Sequence, residues 1–520
     1  MHRLVIALTT FLALTGGVFL GYHLLFAGAA DRAAPLVPAN AAVYVNVYLQ
    51  PSAGQQANLS GLIGRLPGFA DEATLDEKVD QIAQNLLTGL GVDYRTDLKP
   101  WVGDQVAVAA WFGDEETPVQ RAVAIADVKD VAAMESALAD VAERQGESFA
   151  EETYGGVALH VGTATTYAVV AEMLVVSDTP EGVRAVIDTQ SGAANLASRG
   201  DFREAMGRIP ADHLASAFVD AAMLAAGGGT TDPTGAFTTL AAALVADRDG
   251  LRVTGTAPMP PADPGATATA GASPRTPPLA EWMPRDTIAE VVVFGLRGML
   301  ADAEDAASGT PQGQELSDAL STLRTLAAFG LGIDLDADVL PLFDGETALA
   351  LSAIEDGAPR GQLLLRPQDV EVAAAVLDRV ADALAGAGGT RRVESTEAGV
   401  VTVVTVPQLG DIAYATVDEV VILGLSVEDV GAAAEAHVDG TTLAASEAYV
   451  AAFEPIGSRG ATEVYADVRA LLEIIGIADT LPVDARAILS QLGTFSATAR
   501  SADDQIEFNA VLTIDEDGTD

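Results

Sequence analysis

Asp334-x-Asp336-x-Asp338 opens like a calcium-binding carboxylate loop, in which alternate positions supply hard oxygen ligands to a divalent cation. The likeness stops there, because Val339 stands where such a loop needs glycine and Gly345 where it needs a bidentate glutamate. Of the histidines, two lie near the start of the chain. His160, His213 and His437 are isolated from any second ligand at metal-binding helical spacing, so each is expected in a structural or surface role. The chain carries no G-x-S-x-G nucleophile turn and no glycine-rich phosphate cradle of either common kind. With 74 acidic residues, pairs of carboxylates occur throughout, and no single pair marks a general acid and base. Trp101, Trp111 and Trp282 have the surface either to line a ligand cleft or to fill a core. No catalytic, cofactor-binding or metal-ligating residue is therefore assigned, and no cofactor is expected.

The bulk properties narrow the function classes further. A chain of 520 residues exceeds one ordinary core, and its interior must be aliphatic, since 49% of residues are hydrophobic but only 5% aromatic. Against 28 basic residues the acidic ones leave a net charge of -46, which opposes a broad nucleic-acid-binding surface. An acid-rich surface of this kind serves solvation before it serves a cationic partner. The absence of cysteine removes disulfides, thiol catalysis and thiolate metal sites together.

The N-terminus reads as an address. From Leu4 to Phe26 there is no Lys, Arg, Asp or Glu, and as a helix this run would span about 35 Å, enough for a bilayer core. Residues 1–34 are expected to be a membrane anchor, or a long signal peptide cut near Ala27-Gly28-Ala29. Arg3 would lie on the cytoplasmic side and the bulk of the chain outside. The lipid bilayer, met through residues 4–26, is thus an expected partner.

Beyond this leader the chain resembles itself. The stretch GLGVDYRTDLKPWVGDQVAVA from Gly89 is answered by GLGIDLDADVLPLFDGETALA from Gly330. Gly91, Asp93, Asp97 and Pro100 recur as Gly332, Asp334, Asp338 and Pro341, and Gly103 falls opposite Gly345 after one insertion. The helical stripe Leu75, Val79 and Ile82 faces Leu316, Leu320 and Leu323, and Asp130-Val131 recurs as Asp369-Val370. The expected domains are a first α+β repeat over 35–256, a Pro/Ala/Thr-rich linker over 257–278 and a second repeat over 279–516. AVYVNVYL and QVAVAAWF alternate with period two and read as strands, while TYAVVAE with MLVVSD reads as a hairpin. The pattern implies two tandem homologous domains, α+β in class, each an antiparallel-rich sheet with helices packed on one face, behind an N-terminal transmembrane helix. The shared glycines, aspartates and prolines suit a helix stop and a strand entry, so the segment is read as a folding element.

VPANAAVYVNVYLQPS, GLGVDYRTDLKPWVGDQVAVA and LVVSDTPEGV resemble a bacterial family catalogued only as domain of unknown function 3352. The resemblance covers most of Pro35 to Thr256 and, more weakly, Pro284 to Thr513. In the second stretch Pro341-Leu342-Phe343-Asp344-Gly345 loses the tryptophan of the family signature. It implies a membrane-anchored, extracytoplasmic protein of the same fold and transfers no catalytic residue. The expected function is a non-enzymatic binding or scaffold protein of the bacterial cell envelope. Its alternatives are a carrier of an apolar ligand and a hydrolase acting through acidic residues.

Overall fold

The computed structural model describes residues 31–67, 80, 84, 92–112, 120–227, 238–258, 278–307, 311–355, 358–396, 399–407, 410–457, 459–476, 483–502 and 505–515. Leu4–Phe26, Gly91, the stripe from Leu75 to Ile82 and most of the 257–278 linker lie outside them. Among the described residues no helix is long and apolar enough to cross a membrane.

The chain divides into two compact units. One comprises Met1–Asp232, Phe237–Pro258 and Ile514–Asp520, the other Pro233–Ala236 and Met259–Thr513. The first contains β1 (Val43–Tyr48), β2 (Val102–Phe112), β3 (Gln120–Val128), β4 (Ala150–Tyr154), β5 (Val157–Val161), β6 (Thr166–Val170), β7 (Met173–Ser177), β8 (Ala215–Asp220), β9 (Thr239–Ala246) and β10 (Gly250–Pro258). Their pairings, all antiparallel, run β4-β5-β6-β7-β3-β2-β1-β8-β9-β10. Hairpins supply most neighbours, and the one from β6 to β7 turns on Ala171 and Glu172 with φ of 52° and 63°. Positive φ at both central residues matches the right-handed twist of the flanking strands.

The second unit contains β11 (Ala289–Phe294), β12 (Glu346–Glu355), β13 (Ala358–Arg366), β14 (Thr390–Thr396), β15 (Gly399–Val406), β16 (Gly410–Val417), β17 (Val420–Gly424), β18 (Thr462–Asp467), β19 (Leu492–Ala502) and β20 (Gln505–Ile514). Strand for strand its pairing scheme is the same, β14-β15-β16-β17-β13-β12-β11-β18-β19-β20. The β16–β17 turn again uses a residue with positive φ, Asp418 at 48°.

The expected fold class needs correcting, although α+β stands. The expected architecture included a membrane-spanning helix, and the described residues hold none long and apolar enough to cross a bilayer.

Helices also cover both faces instead of one. In the second unit Leu364 packs in the core with Val430 and Tyr449, while its neighbour Leu365 packs with Ala373 and Val376 of the helix Val370–Gly386. Successive residues of a strand face opposite ways, so β13 is apolar on both sides at this point. The helix starts after both repeated Asp-Val pairs follow one rule. Asp130 Oδ1 accepts from Ala133 N and Asp369 Oδ1 from Val372 N, each at 3.0 Å, which satisfies an orphan N–H of the first turn.

Candidate functional site

The shared Gly–Asp–Pro–Gly segment has its polar groups committed locally. Asp93 Oδ1 accepts from Thr96 N at 3.0 Å, and Asp93 N donates to Asp97 Oδ2 at 2.8 Å. In the second unit Asp334 Oδ1 accepts from Asp336 N and Ala337 N at 3.0 Å, and Asp334 N donates to Asp338 Oδ2 at 3.1 Å. Asp336 pairs with Arg324 and Asp338 with Arg379, so these carboxylates turn to guanidinium groups and backbone N–H groups. No metal-holding cluster of His, Cys, Asp or Glu occurs among the described residues. Gly332 takes φ of +67°, the left-handed helix stop its position suggested. The two later glycines serve close approach instead of a turn. A Cβ on Gly345 would lie 1.9 Å from Arg366 O, and one on Gly103 would lie 2.2 Å from Asp127 Oδ2.

The aromatic and histidine candidates are accounted for in the same way. Trp101, Trp111 and Trp282 are each at most 2% exposed and fill cores. His160 stacks on Tyr167, and His437 lies flat on Trp282 with ring centroids 3.7 Å apart. His213 Nδ1 is 2.7 Å from Pro210 O.

Two features were not foreseen. The first is a set of glutamates on the inward phase of the second unit's strands. Glu290, Glu346 and Glu463 are 1%, 2% and 0% exposed, among the aliphatic residues that alternate with them. Glu290 lies opposite Ala350 and Tyr465, Glu346 opposite Phe294, and Glu463 opposite Val292. In the first unit the matching register positions carry uncharged groups. Tyr44 lies opposite Ala109 and Phe218, Gln105 opposite Tyr48, and Ser216 opposite Asn46. Burial drives the Glu290 carboxyl up to about 7, against the pull of the Tyr449 hydroxyl and the Arg459 charge. Burial likewise raises Glu463 to about 8, opposed by Arg459 and reinforced by the other two glutamates. A glutamate in phase with inward apolar residues, as in Glu290-x-Val292-x-Phe294, is the signal that could have found them.

The second feature is apolar and exposed. Leu323 and Leu326 on the helix Pro311–Leu326, and Phe329 just beyond it, are 54%, 61% and 90% exposed. Leu323 belongs to the helical stripe that recurs in the sequence. Three-residue spacing brings such residues together along a helix.

Comparison with known proteins adds little chemistry. The sequence model of the family described as "Protein of unknown function (DUF3352)" matches residues 4–512. No curated protein matches the chain. Among solved structures, crystal forms IV, III and I of TP0453 align at 12% identity with TM-scores of 0.24, 0.25 and 0.25. They cover 43%, 46% and 45% of this chain and 79%, 84% and 81% of their own. A likeness at that level carries no argument about fold or function.

Proposed function

Because the chain belongs to the DUF3352 family of proteins of unknown function, it inherits no chemistry, and we propose from its own residues a non-enzymatic role. On this reading it is an extracytoplasmic binding or scaffold protein of the bacterial cell envelope, delivered there by the uncharged run Leu4–Phe26. The observation that supports binding is the exposed row Leu323, Leu326 and Phe329. On a chain of net charge -46 these three large apolar side chains stand exposed at three-residue spacing, and clustered exposed apolar side chains mark interaction sites. The polar segment that both units share is spent on capping and ion pairs, which suits a scaffold with its binding surface elsewhere.

A photo-reactive phenylalanine analogue placed at Phe329 in the full-length protein, expressed in its own cells, tests this. Discrete adducts from position 329, absent from a control at Val438, which is also exposed, are expected. Fractionation of the same cells should place the adducts in the envelope. No adduct from position 329, or adducts confined to cytoplasmic species, would overturn the proposal.

A further inference from the structure

The buried glutamates of the second unit take no part in that surface, and their surroundings pose a charge problem. Glu463 faces Arg459, whose Nη1 lies 3.5 Å from its carboxylate and donates to the Tyr449 hydroxyl at 3.1 Å. Its guanidinium sits over the Phe453 ring at 4.2 Å, so it is held in place beside the cluster. The helix Glu447–Phe453 contributes Tyr449 as its titratable group there, and β18 contributes Tyr465 and Asp467. From β19 come only the hydroxyls of Ser496, donated to Ala452 O, and of Thr498, which accepts from Gly460 N. Leu279 N donates to Glu346 Oε1 at 3.0 Å. Neither oxygen of Glu463 has a hydrogen-bond partner among the described residues. One guanidinium offsets one carboxylate, and an apolar core does not hold a second anion such as Glu290 beside Glu463. The carboxyl left over must carry a proton while the unit is closed.

We propose that Glu290, Glu463 and Arg459 form a pH-responsive element. It keeps the second unit closed while its carboxyls hold protons and loosens β11, β18 and the helix Glu447–Phe453 as they ionise. The first unit, with Tyr44 and Ser216 at the same register positions, lacks this response. The direction comes from linkage. These carboxyls bind protons in the folded state that the unfolded chain has already released. The stability they contribute is therefore complete below the unfolded value of 4.5 and lost as pH rises through the folded values of about 7 and 8.

Amide hydrogen exchange of the full chain between about pH 6 and pH 9, corrected for intrinsic exchange, reads this unit by unit. The opening constant in β11 and β18 should rise about tenfold per pH unit for each proton released, while β1 and β8 stay flat. Glu463→Gln should reduce the slope in the second unit. Equal slopes in both units, or a slope untouched by Glu463→Gln, would overturn the proposal. Should that variant fail to fold, infrared spectra of the unaltered protein decide. A protonated-carboxyl band present at about pH 6 and gone by about pH 9 is expected, and its absence at the lower pH refutes the element.

Discussion

Asp97 and Asp338 occupy matching places in the two units, and replacing each with alanine should have unequal consequences. Asp97 is 4% exposed and accepts from Asp93 N at 2.8 Å, from Thr96 Oγ1 at 3.0 Å and from the Arg144 guanidinium. Removing it strands a partly buried N–H and a hydroxyl and breaks a charge-assisted bond, while Arg144, being half exposed, rehydrates. The expected cost is about 3 kcal/mol, below the upper range for splitting fully buried pairs. For a unit of this size that lowers Tm by roughly 6–12 °C. Asp338 is 25% exposed and its partner Arg379 is 59% exposed, so water replaces what Asp338→Ala removes, and little change should be measurable. Thermal unfolding followed by tryptophan emission suits the comparison. Trp101, whose indole N–H donates to Asp97 O, and Trp111 report on the first unit, and Trp282 reports on the second. The reasoning fails if Asp97→Ala melts with the unaltered protein, or if Asp338→Ala costs as much.

Three further outcomes are expected. Gly345→Ala drives a Cβ to 1.9 Å from the backbone oxygen of Arg366, so it should cost at least the 1–3 kcal/mol, roughly, of core overpacking, read as a lower urea midpoint of the Trp282 signal. Tyr44→Phe removes the hydroxyl that donates to Asp31 Oδ1 at 2.7 Å and should cost about 1.5–3 kcal/mol by denaturant unfolding of the first unit. Phe329→Ser, at a side chain 90% exposed, should leave the second unit's Tm within about 1 °C of the unaltered value in a calorimeter.

The local elements were legible because their signals are local. Period-two alternation marked AVYVNVYL, which forms Val43–Tyr48, and QVAVAAWF, which lies inside Val102–Phe112. Asp130 and Asp369 announced helices that start one residue later, and Thr179-Pro180 opened the helix Pro180–Gln190. Strand order was not legible, because β3 takes β7 as a neighbour across a helix and a three-stranded excursion that no pattern in β3 encodes. The apolar faces of β13 hid the second helix layer, since Leu363-Leu364-Leu365 has no polar side to betray which face is free. Glu290, Glu346 and Glu463 were lost among 74 acidic residues, although each stands in phase with inward apolar neighbours. The exposure of Leu323 was not legible either. Helical spacing shows that apolar residues share a stripe, and only packing shows whether anything lies against it.

The central claim is that an exposed apolar row on the second unit does the binding. The most direct test compares complexes retained by the full chain and by its Leu326→Ser/Phe329→Ser variant after gentle solubilisation of the envelope, with Tm values matched first. Both side chains are more than half exposed, so the variant should fold normally, and the account predicts at least about a tenfold loss of the retained partner. Retention of the same partner in the same amount would contradict it.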